Sequence, residues 1–211
     1  LHAAKQPMTF DHARLRRAVR LVAVLNLCYF GVEFAVARAI GSVSLFADSI
    51  DFLEDASVNG LILVALEWRA ERKAIVGMVL AGILLVPGIA TLWTAWSKFM
   101  MPVAPHPVML TTAGLGALAV NLFCAIHLAR YRDHIGSLTR AAFLSARNDA
   151  LANVGIVGAG LATAATGSAW PDLAVGLAIF GMNLDAAHEI FTAARHEHDL
   201  ALTAANREHR A

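Results

Sequence analysis

The stretch Phe46–Leu66, FADSIDFLEDASVNGLILVAL, sets Asp48, Asp51, Glu54 and Asp55 inside an otherwise apolar run. A charged side chain at the centre of a bilayer costs roughly 2.5 to 3.5 kcal/mol on insertion scales, so acids in such a run line a pathway or hold an ion. Asp51 and Asp55 are four residues apart, which stacks them on one face of a helix, and Asp48 falls on the same stripe three residues earlier. That face presents a column of oxygen ligands.

Outward from this stretch, the chain is apolar enough to surround such a helix with lipid-facing neighbours. Its 211 residues are 58% hydrophobic and only 16% charged, and the mean hydropathy is +0.59. Those values exclude an ordinary soluble domain and point to an all-α, multi-pass membrane protein. The net charge of +1 leaves no basic face for a nucleic acid.

Runs of about 20 apolar residues can cross a hydrocarbon core. Six are present, at about 21–40, 43–66, 74–97, 108–129, 141–165 and 173–194. The third carries no charge, whereas the second and fifth contain acids and score poorly on hydropathy alone. Positive charge sorts with alternate connections: Lys5, Arg14, Arg16, Arg17 and Arg20, then Arg69, Arg72 and Lys73, then Arg130, Arg132 and Arg140, then Arg195, Arg207 and Arg210. Opposite them stand only Arg38 and Lys98. Cytoplasmic loops are the Lys- and Arg-rich ones, so six spans with both termini cytoplasmic are expected, with KFMMPVAPHP and TGSAWPD as outside turns and Trp93, Trp96 and Trp170 near the interface. The expected organisation is a cytoplasmic segment at 1–20, a six-helix membrane domain at 21–194 and a short cytoplasmic tail at 195–211. The tail is too short for a core of its own, so no cytoplasmic domain is expected after the sixth span. The expected location is a bacterial inner membrane.

The fifth segment, AAFLSARNDALANVGIVGAG, sets Ser145 and Asp149 at the spacing of Asp51 and Asp55, with Asn148 beside them. The resemblance between the two segments extends to Asp55-Ala56-x-x-Asn59 and Asp149-Ala150-x-x-Asn153, a pattern suited to a site at the interface of two repeats. If the second and fifth helices pack together, Asp51, Asp55 and Asp149 bring three carboxylates to one place, and Ser145 or Asn148 completes a four-coordinate shell. A divalent cation neutralises most of that charge. Without one, three close carboxylates in low dielectric cannot all stay ionised, and protons bind instead. Metal and proton then compete for one site, which is the physical basis of an antiporter.

Glu33 in the first segment, Asp48 and Asp185 in the sixth are accessory candidates, for ion access or a proton path. His127 suits a helix contact better than ligation, and His188 shares a face with Asp185. Arg147, near the cytoplasmic end of the fifth segment, could pair with the aspartates but can also snorkel to the interface. Cys28 and Cys124 lie in apolar segments without a partner at metal-ligand spacing, so neither a disulfide nor a metal clip is expected. His196 and His198 could touch metal, but in a tail of mixed charge they are expected to be solvated.

These residues resemble the cation diffusion facilitator family of six-helix divalent metal transporters. The resemblance runs through NLCYFGVEFAVARAIGSVSLFADSIDFLEDA, GLGALAVNLFCAIHLAR, AAFLSARNDALANVG and TGSAWPDLAVGLAIFGMNL, covering about residues 20–195. It implies that Asp51 and Asp55 are the second-helix ligands and that Asp149 is the second ligand of the fifth helix. Ser145 departs from the family pattern, which usually has His or Asp there. It also implies a cytoplasmic metal-binding domain through which protomers dimerise. This chain stops before such a domain, so a homodimer would rest on membrane helices. An all-oxygen site moves preference from zinc toward harder ions such as manganese, iron(II) or magnesium, while the family keeps zinc, cadmium and cobalt in play. The single loop histidine, His134, mildly weakens zinc.

The function expected is therefore proton-coupled efflux of a divalent cation across the lipid bilayer, with the metal as cargo and no resident cofactor. An intramembrane metalloenzyme would need a nucleophile and base near the acids, and only Ser145 is available, so enzymatic activity is not expected. The alternative is a non-transporting membrane subunit or metal sensor with a degenerate site, motivated by Ser145 and the missing cytoplasmic domain.

Overall fold

The computed structural model describes residues 9–65, 89–129 and 137–184, and these residues form helices and short connections with no strand among them. The helices are α1 (Thr9–Ile40), α2 (Val43–Ala65), α3 (89–100), α4 (Pro107–Ala129), α5 (Ser137–Thr166) and α6 (Trp170–Leu184). Three are long and apolar enough to cross a membrane: Arg16–Ile40 of α1, α4, and Ala146–Thr166 of α5. α2 has the length but not the hydropathy, because of its four acids. The fifth segment, expected to score poorly, qualifies from Ala146 onward. Much of the third and sixth expected spans, at 66–88 and 185–194, lies outside the described residues.

α1 begins at Thr9, twelve residues before the expected start of the first span, so much of the N-terminal basic segment is helical. Pro7 precedes it, and no proline interrupts the 32 residues that follow. Its end is set by Gly41, whose φ of 65° is a left-handed conformation that favours glycine. The Ser42 N–H returns to the Ala37 carbonyl at 3.0 Å, and the chain reverses at once into α2. Ser42 then caps α2 by accepting the Leu45 N–H at 3.1 Å.

α1 packs along α2 and α4 along α5, and α2 also packs against α5. α2 is the innermost helix, with every residue from Ser42 to Phe52 buried. Large apolar side chains are exposed along the other helices, among them Leu27 and Val32 on α1, Phe123 and Ile126 on α4, and Leu151 and Leu161 on α5, while exposed arginines gather near the start of α1. An apolar exterior around a polar interior is the pattern lipid selects. The chain is an integral membrane protein.

The interior is layered. One apolar cluster holds Ala37, Leu45, Phe46, Ile50, Leu110, Ala113, Ile156 and Ile179, and a second holds Val22, Cys124, Ala125, Leu128 and Ala146. On each of three helices the chain passes from one cluster to the other through buried polar residues: Asn26 and Glu33 on α1, Asn121 on α4, Asn153 on α5. A polar band thus crosses the middle of the bundle, at the level of the α2 acids.

Candidate functional site

The α2 stripe is continuous. Ser44, Asp48, Asp51, Asp55 and Asn59 follow one another at steps of three and four residues and are all less than one-tenth exposed. At 1.5 Å per residue they span about 22 Å, most of a hydrocarbon core.

Each acid meets a different helix. Asn183 of α6 donates a short hydrogen bond to Asp51. Asn26 of α1 donates to Asp55 Oδ2 at 3.3 Å, and its own carbonyl oxygen accepts from the Cys124 thiol of α4 at 3.7 Å. Asn153 of α5 donates to Asp48 Oδ1 at 3.4 Å. These are hydrogen bonds between helices, and each aims a carboxylate into the bundle.

The short repeat spotted in the sequence has a common geometry. Asn59 donates to the Asp55 carbonyl at 2.8 Å, and Asn153 donates to the Asp149 carbonyl at 2.6 Å. In both helices the amide one turn beyond the acid folds back onto the acid's own peptide group. Such back-bonding fixes the amide rotamer and loosens the helix at the acid.

α2 packs against α5, and Asp149, half-buried, is the foremost neighbouring charge at Asp51. Among the described residues, however, no three His, Cys, Asp or Glu side chains close on one point. Instead, Asp51 and Asp55 point to amides on α6 and α1. Asn148 is exposed and accepts from Arg147 at 3.4 Å, so it turns away from the interior, and the expected alternative of a tie between Arg147 and the aspartates is not the contact observed. Ser145 lies on α5 four residues before Asp149, but its side chain is outside the described residues, as are Asp185, His188, His196 and His198. His127 is stacked on Phe123, with ring centroids 5.6 Å apart. Cys28 and Cys124 are free thiols.

Asn26 and Asn183 are not among the residues expected at the site. Their signal in the sequence is an amide inside an apolar segment, as for Asn59 and Asn153, but without a repeat to mark it. Lys98 is expected in an outside turn. Lys98 is buried and donates to Asp172 Oδ2 at 2.8 Å. Asp172 further accepts from the Val43 N–H at 3.0 Å, the Ser44 N–H at 3.2 Å and the Ser42 and Ser44 hydroxyls at 2.6 Å each. One carboxylate thereby ties α3 and α6 to the start of α2, where the helix dipole favours a negative charge. This knot sits at the end of the α2 stripe that carries Ser44.

A cation efflux transmembrane domain model matches residues 19–197, nearly all of the chain. The chain belongs to this cation efflux family. The match begins within α1 and takes in the other helices described above, so the acid stripe lies within a cation efflux transmembrane domain. No curated protein matches the chain.

Proposed function

We propose that this cation efflux domain exchanges a divalent metal cation for protons by alternating access, with the ion held between α2 and α5. The observation that carries this reading is the buried α2 stripe inside a domain of a transport family. A column of buried carboxylates has little structural use, because replacing buried charges with apolar residues is often neutral or stabilising. Asp51, Asp55 and Asp149 are the proposed ligands, with Ser145 or Asn148 completing the shell after a rearrangement of α5. Glu33, Asp48 and Asp185 are the accessory groups. Six spans with both termini cytoplasmic, and a homodimer through membrane helices, complete the proposal.

Asp51 and Asp55 are held by amide donors on α6 and α1. Those bonds are exchangeable for metal–oxygen bonds. Closing the ligands on an ion would free Asn183 and Asn26 and let α6 and α1 move relative to α2. Protonation would remove the charge that holds the ion and release it. The competition of metal and proton for the same oxygens then couples the two fluxes. The all-oxygen donor set favours manganese or iron(II), with zinc and cobalt still accepted by carboxylates.

The test is metal uptake into proteoliposomes under an imposed pH gradient, comparing manganese, iron(II), zinc, cobalt and cadmium. Gradient-driven uptake by the native chain, falling to the protein-free level in Asp51→Ala combined with Asp149→Ala, is the expected result. Equal flux in the double variant removes these residues from the pathway. No flux of any ion through well-folded protein favours the sensor or subunit reading.

A further inference from the structure

One turn along α2 from Asp51, toward the Lys98–Asp172 knot, lies a second group of oxygen atoms. Glu33 of α1 is fully buried, and among the described residues neither of its carboxylate oxygens receives a hydrogen bond from an N–H or O–H donor. The carboxyl group of Asp48, also fully buried, is the foremost neighbouring charge at Glu33, and its Oδ2 likewise receives no donor among the described residues. Asn153 of α5 adds to the group through its bond to Asp48 Oδ1 at 3.4 Å, and its own Oδ1 is a fourth buried oxygen without a partner among the described residues. Three helices thus converge on one place with oxygen atoms and almost no donors.

We propose that Glu33, Asp48 and Asn153 form a second cation-binding station, taking a hard divalent ion such as manganese(II). Two carboxylates and an amide carbonyl supply a donor set of the type that oxygen-preferring divalent ions accept, with water filling the remaining positions. A proton shared between the two carboxyls would neutralise one of two charges and leave the amide oxygen facing nothing. A divalent ion neutralises both and gives every one of these oxygens a partner. Buried polar atoms normally find partners, and the two Glu33 oxygens, Asp48 Oδ2 and Asn153 Oδ1, which receive no donor among the described residues, are all of the type a hard cation accepts.

Asp48 precedes Asp51 by three residues, a rise of about 4.5 Å, so ions at the two stations repel each other. Conduction through successive sites needs binding that is favourable enough to admit an ion and weak enough to let it leave. The role of the second station as a stop on the route rests on the proposed metal site at Asp51 and Asp55, whereas its capacity to bind an ion does not.

Equilibrium dialysis of the detergent-solubilised chain against manganese(II), with metal and protein measured at saturation, separates the two sites. The native chain is expected to hold two ions. Glu33→Gln and, independently, Asp48→Asn should each hold one, Asp51→Ala should hold one, and Glu33→Gln with Asp51→Ala none. Circular dichroism and a monodisperse elution profile identify a variant that has merely unfolded, and agreement between the Glu33 and Asp48 variants guards against the idiosyncrasy of either. A Glu33→Gln protein that still binds as many ions as the native chain overturns the proposal, whether or not its proton release on metal loading changes. A native chain that binds one ion, lost in Asp51→Ala and kept in Glu33→Gln, also overturns it while leaving the transport site standing. If instead Asp51→Ala keeps every ion and Glu33→Gln loses one, the second station stands and the primary site is wrong.

Discussion

Asp172 gathers five polar contacts, and its partners predict an unequal response to substitution. In Lys98→Ala the carboxylate keeps two backbone N–H donors and two serine hydroxyls. In Asp172→Ala the Lys98 ammonium remains buried, with the Gly41 carbonyl as its one remaining partner among the described residues, and α2 loses the acceptor at its first turn. Leaving one partner of a buried pair uncompensated costs about 3–5 kcal/mol. Asp172→Ala should reach that range and Lys98→Ala should fall below it, as read from thermal inactivation in detergent. Equal losses would mean that the ion pair, and not the capping of α2, carries the knot. At this scale Asp48, Asp51 and Asp55 were legible because a charge in an apolar run has no cheap alternative reading. Asn26 and Asn183 were not, since an amide is tolerated in a membrane helix, and the partner of Asn183 lies 132 residues away. Lys98 was misread for a related reason. Sequence places it near a connection, but only packing shows that its tip turns inward.

Helix boundaries were legible where backbone chemistry dictates them. The Gly41-Ser42 pair ends one helix and caps the next, and Gly167, with φ of 64° and its N–H bonded to the Thr163 carbonyl at 2.8 Å, ends α5. Replacing Gly41 by Ala keeps the side open, with no atom within 4 Å of the new Cβ, but forces an L-residue to a positive φ. The expected loss is about 1 kcal/mol, measured as the shift in unfolding midpoint. Gly176 on α6 has the opposite problem. A Cβ there would stand 2.7 Å from Val43 Cγ1 and 2.8 Å from the Ser44 nitrogen and the Val43 carbonyl carbon, and backbone atoms cannot yield as a flexible side chain can. Gly176→Ala should therefore cost more than Gly41→Ala, about 1–3 kcal/mol or above, by pushing α6 off the start of α2. A Gly176→Ala protein with native stability would show that α6 slides freely at this contact. The start of α1 at Thr9 was not legible, because hydropathy marks where a helix enters lipid and is silent on where the helix itself begins.

Apolar surface outside and acids inside make the whole molecule a wall around a polar band, and the direction in which that wall faces the two compartments is set by charge. Arg14, Arg16, Arg17 and Arg20 lie in the first turns of α1, and all but the buried knot of Lys98 and the outer Arg38 fall on the same expected side. Positive charge resists translocation, so those turns should face the cytoplasm and the α3–α4 connection should face outward. Val103 in that connection is 72% exposed, and Arg17 is exposed on α1, so both accept a reporter thiol without disturbing the core. In a background carrying Cys28→Ala and Cys124→Ala, a membrane-impermeant maleimide applied to intact cells should label Val103→Cys and spare Arg17→Cys, and permeabilisation should expose both. Labelling of Arg17→Cys in intact cells would reverse the topology. That reversal would also reverse the order of the stations, because α1 passes Asn26 before Glu33 while α2 passes Asp48 before Asp55. Under the expected orientation, the α2 stripe runs from Asn59 and Asp55 on the cytoplasmic side through Asp51 and Asp48 to the Lys98–Asp172 knot on the outer side.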